Sequence, residues 1–283
     1  MVLDQHIYPY GYAPTEYVCI IFVVLFSVSA ALHLGQAVRY RMWWLIPTAV
    51  FCGVLEILGW AARLWSSRNP PNPNPFEMQI VCTILGPTPL LAGQFVVSAI
   101  MISQLGHKYS RFVPKRYTTF FFGCDIIALI VQAVGGGMAA TALHNNESAK
   151  KGGNIMLGGI CFQLAVIVFF VFVSAEYVYR YANDAPARRS GETDAHCGRL
   201  TTKTLMLFGS VCFILLCLFI RSIYRTIELA DGWTGRIITT EVYFNVLDGT
   251  MIVLAMFALN FFHPGMLLLS KDELIADQEK QYA

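Results

Sequence analysis

The chain has 283 residues, 56% of them hydrophobic and 13% charged, with a formal net charge of +2. Soluble domains carry about 25% charged residues, so this composition and a mean hydropathy of +0.54 describe a membrane protein and leave no room for a separate soluble domain. A net charge this small gives no basis for a nucleic-acid partner.

Seven apolar runs follow in order, at about 15–38, 43–66, 78–105, 117–143, 154–181, 202–227 and 238–262. Each is near or above the ~20 residues a helix needs to cross the hydrocarbon. Residues 1–14 precede the first run, which is long enough to be a retained span and not a signal peptide. Arg39-Tyr40-Arg41 separates the first two runs. Asn69-Pro70-Pro71-Asn72-Pro73-Asn74-Pro75 separates the next pair and reads as non-helical. His263-Pro264-Gly265 closes the last run, and 266–283 form a tail.

Lysine and arginine set the expected orientation. The 1–2, 3–4 and 5–6 loops and the C-terminal tail hold thirteen of them, against four in the N-terminus and the other loops. The positive-inside bias puts the N-terminus outside and the C-terminal tail in the cytoplasm. Asn146 begins an Asn-Glu-Ser glycosylation sequon in the 4–5 loop, on the expected outer side.

Nine ionisable residues lie within the spans: Glu56, Arg63, Asp125, Glu176, Arg221, Arg225, Glu228, Glu241 and Asp248. A charge at the centre of a membrane helix costs roughly 2.5–3.5 kcal/mol on insertion scales. These groups are therefore expected to pair or to face a water-filled cavity. Their spacing places them on stripes. Glu56, Trp60 and Arg63 stand at i, i+4, i+7 on the second helix, and Arg221, Arg225 and Glu228 repeat this on the sixth. Glu241 and Asp248, and Asp125 and Gln132, are each seven apart. With a rise of 1.5 Å per residue, the arginines, Glu228 and Glu241 cluster in the outer half. Asp248 sits roughly 15 Å below the outer end, and Gln132 and Asp125 continue the cluster inward.

Two roles for this cluster stay open at this stage. It is a salt-bridge network fixing helix packing, or it lines and gates a polar cavity for a lipid headgroup. Asp125 and Asp248 have no cation nearby in sequence, which leaves a proton, a bound cation or a distant arginine to neutralise them. A cavity floored by Asp248 and Gln132 is expected. An asparagine at 248 is then expected to weaken lipid binding while leaving the fold largely intact. Pro87 and Pro89 interrupt the third helix and free carbonyls at depth. Gly135-Gly136-Gly137 and Gly158-Gly159 permit close helix approach.

No metal site is expected, because no HExxH pair or Cys/His cluster has ligand spacing. The eight cysteines read as small apolar residues. Neither a GxSxG nor a Walker A sequence occurs, so a hydrolase elbow and direct ATP use have no support. The seventh helix has no lysine for a retinal Schiff base. Neither an Asp/Glu-Arg-Tyr triplet nor an Asn-Pro-x-x-Tyr sequence marks a conventional G-protein-coupled receptor.

Several motifs in order carry a resemblance. They are Glu56-x-x-Gly59-Trp60-x-x-Arg63, Pro89-x-x-Ala92 and Asp125-x6-Gln132-x-x-Gly135-Gly136. They continue with Gly159-x-x-x-Gln163, Arg221-x-x-Tyr224-Arg225-x-x-Glu228, Glu241-x6-Asp248 and His263-Pro264-Gly265. From about Tyr12 to Gly265 the chain resembles the fungal lipid-translocating exporter family, the Rta-like seven-helix proteins. Trp60 and Phe95 stand where that family usually has tyrosine.

The resemblance implies a plasma-membrane protein without cofactors, linked to sphingoid long-chain bases, toxic sterol analogues and porphyrins. It places Gln163 and Tyr224 beside the charged residues as ligand-binding or gating positions. The expectation is an all-α, seven-transmembrane bundle that moves or binds lipids and protects against toxic ones. The alternatives are a seven-helix lipid receptor or sensor, and an intramembrane lipid-modifying enzyme.

Overall fold

The computed structural model describes residues 10–69, 71–106, 109–110, 114–145, 147–185, 201–232 and 235–268. Seven helices among them are long and apolar enough to cross a membrane. We label them α1 (Glu16–Tyr40), α2 (Trp43–Arg68), α3 (Pro73–Leu105), α4 (Pro114–His144), α5 (Lys150–Ala182), α6 (Thr202–Asp231) and α7 (Glu241–Leu267). No strand occurs among the described residues. The protein is an all-α integral membrane protein. The sequon residue Asn146 and Cys197 lie outside the described residues.

Consecutive helices pack as neighbours, and α7 returns to α1 and α6. α3 also touches α6 and is the most enclosed helix, with 78% of its apolar window buried against 33–50% for the others. That enclosure explains why α3 tolerates irregular backbone at depth: broken helices survive in a membrane only where protein covers them.

Within the stretch at 69–75 that read as a helix breaker, Pro73 and Pro75 in fact start α3. Asn72 is the N-cap, and its Oδ1 accepts from the Asn74 N–H at 3.1 Å. Pro73 and Pro75 occupy the first turn, where the missing N–H has no intrahelical partner to lose. At the other end of the chain the last α-helical stretch stops at Phe261, and a short turn follows at Pro264–Leu267. Pro264 cannot donate to the Asn260 carbonyl, and Gln36 Nε2 of α1 donates to it instead, at 2.9 Å.

Two helices contain π segments, Ile46–Val50 in α2 and Asn245–Thr250 in α7. The second carries Asp248, and Thr250 Oγ1 donates to the Asn245 carbonyl across it at 2.8 Å. Single π turns often mark functional sites.

Candidate functional site

The end of the bundle where α1 begins encloses most of the charged residues of the spans. Arg225 of α6 is the hub. Its Nε donates to Asp248 Oδ1 and its Nη2 to Asp248 Oδ2, both at 2.8 Å. Nη1 donates to Glu228 Oε2 at 2.7 Å, and Nη2 also reaches Thr83 Oγ1 at 2.8 Å. Tyr224 OH donates to the other Glu228 oxygen at 2.8 Å. Arg221 Nε stands 2.9 Å from Asp248 Oδ1, and its Nη2 donates to the Thr83 carbonyl.

The Thr83 carbonyl is available because of the proline four residues on. In a regular helix it would accept from the N–H of residue 87, and Pro87 has none. The kink in α3 thus creates an acceptor at depth, and a buried arginine uses it.

Arg63 of α2 forms a second knot above the first. Its Nη2 donates to Tyr12 OH at 2.6 Å and approaches Glu241 Oε1 at 3.4 Å. Thr15 donates to both Glu241 oxygens, from N–H at 2.8 Å and from Oγ1 at 2.7 Å. The Phe244 ring lies between the guanidinium groups, 4.5 Å from Arg63 Cζ and 5.0 Å from Arg225 Cζ. Tyr10 and Tyr12 also flank Arg63, and Tyr10 packs edge-on against Phe76 at 4.7 Å. Residues 10–15 therefore form a strap over this end. Burial pushes both strap phenols above the usual tyrosine range, and the nearby Arg63 offsets this only in part.

The expected inward continuation of this cluster is a separate assembly. Gln132 Nε2 of α4 donates to Gln163 Oε1 of α5 at 3.0 Å. Gln163 Nε2 donates to Thr88 Oγ1 at 3.1 Å and to Asp125 Oδ1 at 3.4 Å. No hydrogen bond among the described residues joins this group to the arginine network. Glu176 pairs with Arg180 at 2.8 Å, one turn away on α5.

The missing counter-charge for Asp248 comes from α6, where two arginines hold it. Asp248 is thus held from two sides, and neither cavity described here is floored by Asp248 and Gln132. The space beside the network, between the strap, Arg63, Arg225 and Glu228, is a cavity of about 20 Å³. That volume suits one water and no lipid headgroup.

The large cavity lies towards the opposite end. About 520 Å³ opens between α3, α5 and α6, lined by apolar side chains such as Met101, Val171, Phe208, Leu215 and Phe219. Leu205, Val168 and Leu216 on its rim are more than half or nearly half exposed. In a spanning helix such an apolar rim faces acyl chains. The lining on α6 ends at Phe219 and the charged network begins at Arg221, about 3 Å further along the axis.

Four partners gave no signal in the sequence. Thr83 is a lone hydroxyl in an apolar run, and its value comes from Pro87 four residues later. Tyr12 and Thr15 precede the first span, where an aromatic reads as an interfacial anchor. Phe244 is one of 20 phenylalanines.

A bundle of seven membrane-spanning helices, with arginines and carboxylates paired inside one half and an apolar cleft in the other, defines an integral membrane protein that can accommodate amphiphiles. The sequence model described as "RTA1 like protein" matches residues 49–271. The chain belongs to that family. It is 29% identical to the sphingoid long-chain base transporter RSB1 of Saccharomyces cerevisiae strain JAY291, over 94% of this chain and 75% of the relative. It is 28% identical to the lipid-translocating exporter-like protein RTA1 of Leptosphaeria maculans, over 90% of this chain and 51% of that relative. Protein RTM1 of Saccharomyces cerevisiae is 26% identical over 74% of this chain and 64% of its own length. No solved structure matches the chain.

Proposed function

We propose that this protein moves amphiphilic lipids across the bilayer, with sphingoid long-chain bases as its substrate class. The observation that carries the reading is the apolar cleft running up to the buried charged network. Relatives named as a long-chain base transporter and as a lipid-translocating exporter-like protein support the same reading. A long-chain base joins one ammonium to one long tail. The cleft spans Thr204 to Phe219 on α6, about 22 Å of helix, against about 15 Å for one leaflet of hydrocarbon. It can hold a tail while the head meets the carboxylates above Phe219.

Among the carboxylates, Glu228 and Glu241 are the candidate ammonium acceptors. Each borders the strap, beside the Phe244, Tyr10 and Tyr12 rings, and aromatic faces attract organic cations. Headgroup entry requires Tyr10 and Tyr12 to move, so this arrangement is the closed one. We place the strap end outside and the cleft towards the cytoplasmic leaflet, on the basic-loop bias. The plasma membrane is the proposed location, and transport without lipid chemistry the proposed activity.

A photoactivatable long-chain base, added to the purified protein in nanodiscs, tests the reading. Label should concentrate on the cleft segments of α3, α5 and α6, and excess unlabelled base should displace it. Label spread evenly over all lipid-facing helices, without competition, would remove the cleft from the site.

A further inference from the structure

Charge does not close within the buried network. Arg63, Arg221 and Arg225 face four carboxyl groups, those of Glu56, Glu228, Glu241 and Asp248. Arg63 is matched by Glu241, Arg225 by Glu228, and Arg221 by Asp248, which Arg225 shares. Glu56 is left over. It is 0% exposed, and neither of its oxygens has a hydrogen-bond partner.

Its surroundings are a closed shell. The charged groups facing it are Asp248 of α7 and Arg221 and Arg225 of α6. Cys52 on its own helix and Cys82 on α3 are its titratable neighbours. Trp60 Nε1, one turn along α2, is near but completes no hydrogen bond. The carboxyl is packed flush against the α3 backbone, so that a methyl group added to Gly86 would stand 2.6 Å from Oε1. Neither cavity described above includes Glu56.

An ionised carboxylate without donors in such a place costs several kcal/mol. Three ligands can neutralise it, and the surroundings select one. A bound metal needs several oxygens, and no group of three or more His, Cys, Asp or Glu among the described residues could hold one. A lipid ammonium needs room, and there is none beside Gly86. A proton needs neither.

We propose that Glu56 is a proton-binding site. Its carboxyl carries a proton while Asp248 holds Arg221 and Arg225, and it gives that proton to water when either arginine is released from Asp248. The two acids then exchange one arginine. This makes the network a proton-linked switch, and it holds whatever lipid the protein moves.

Infrared spectroscopy of the purified protein in nanodiscs at neutral pH tests this directly. The wild type should show a protonated-carboxyl C=O band that shifts in D2O. Glu56→Gln should delete it, and Asp125→Asn should leave it in place. Asp248→Asn, which releases Arg221 from its carboxylate while Arg225 keeps Glu228, should convert it into carboxylate absorption. If Glu56→Gln does not fold, Glu56→Asp should move the band. A band that is unchanged by Glu56→Gln or unmoved by Glu56→Asp overturns the proton site. A band that survives Asp248→Asn overturns the exchange of the arginine. None of these readouts depends on lipid flux.

Discussion

Asp248→Asn is the substitution with the most readily calculated consequence. The sequence alone predicts a tolerated change, since an amide keeps the shape of the carboxylate. The contacts of Asp248 argue for the opposite outcome. Asp248 accepts from Arg225 at 2.8 Å twice and stands 2.9 Å from Arg221, and both guanidinium groups are at most 5% exposed. Asparagine leaves Glu228 as the one carboxylate already in contact with the two buried cations, and Glu56 can answer the second only by giving up its proton and moving. Breaking a buried ion pair by removing one member costs about 3–5 kcal/mol. Arg225 keeps Glu228 and Thr83, so the lower end, about 3 kcal/mol, is expected. This is a large share of a typical stability of about 5–15 kcal/mol.

Adding Arg221→Gln to Asp248→Asn removes the surplus cation. The double variant should be more stable than Asp248→Asn alone, with a coupling of about 1–3 kcal/mol. Reversible unfolding in mixed SDS micelles, followed by circular dichroism, measures both. Asp248→Asn within about 0.5 kcal/mol of wild type, or a double variant that simply adds the two losses, would refute the hub.

The remaining expectations concern other parts of the bundle. Tyr12→Phe removes the 2.6 Å hydrogen bond to Arg63 and should cost about 1.5–3 kcal/mol, the value for a bond to a charged group, with faster proteolysis of the N-terminal strap as the readout. The raised phenols of Tyr10 and Tyr12 make the folded state bind more protons than the unfolded one above pH about 10, so stability should fall as pH rises past that point. An absorbance titration in which these two tyrosines ionise together with the exposed ones would contradict this. Gly159→Ala puts a methyl group 2.8 Å from Gln132 Cγ and 3.2 Å from its backbone nitrogen, and should cost about 1–3 kcal/mol in the same unfolding assay. Gly158→Ala, with open space at its Cβ, is the control and should be neutral or slightly stabilising.

What the sequence shows of this protein follows from what local spacing can carry. Seven spans emerge from apolar length alone, and the i, i+3 and i, i+4 spacing on α6 already pairs Arg225 with Glu228 and Tyr224 with Glu228. Partners that depend on tertiary approach are silent. Thr83 matters only because Pro87 strips its carbonyl and α3 lies beside α6. Asp248 faces the arginines through the π segment at Asn245–Thr250, which no periodicity announces. Asp125 and Gln132 read as continuous with the arginines by depth, but depth along an axis does not fix which side of the bundle a stripe faces, and both bond instead with Gln163. The proline run at 69–75 misled for the opposite reason: the residues that break a helix interior also start one.

The most direct test of lipid transport uses purified protein in sealed proteoliposomes with a fluorescent long-chain base. The account predicts faster transbilayer movement than in protein-free vesicles. Ala175→Trp, which fills the cleft, should slow it, and so should Asp248→Asn. Saturable binding with no acceleration would make the protein a lipid receptor, and recovery of a chemically altered lipid would make it an enzyme. Either result would contradict the account.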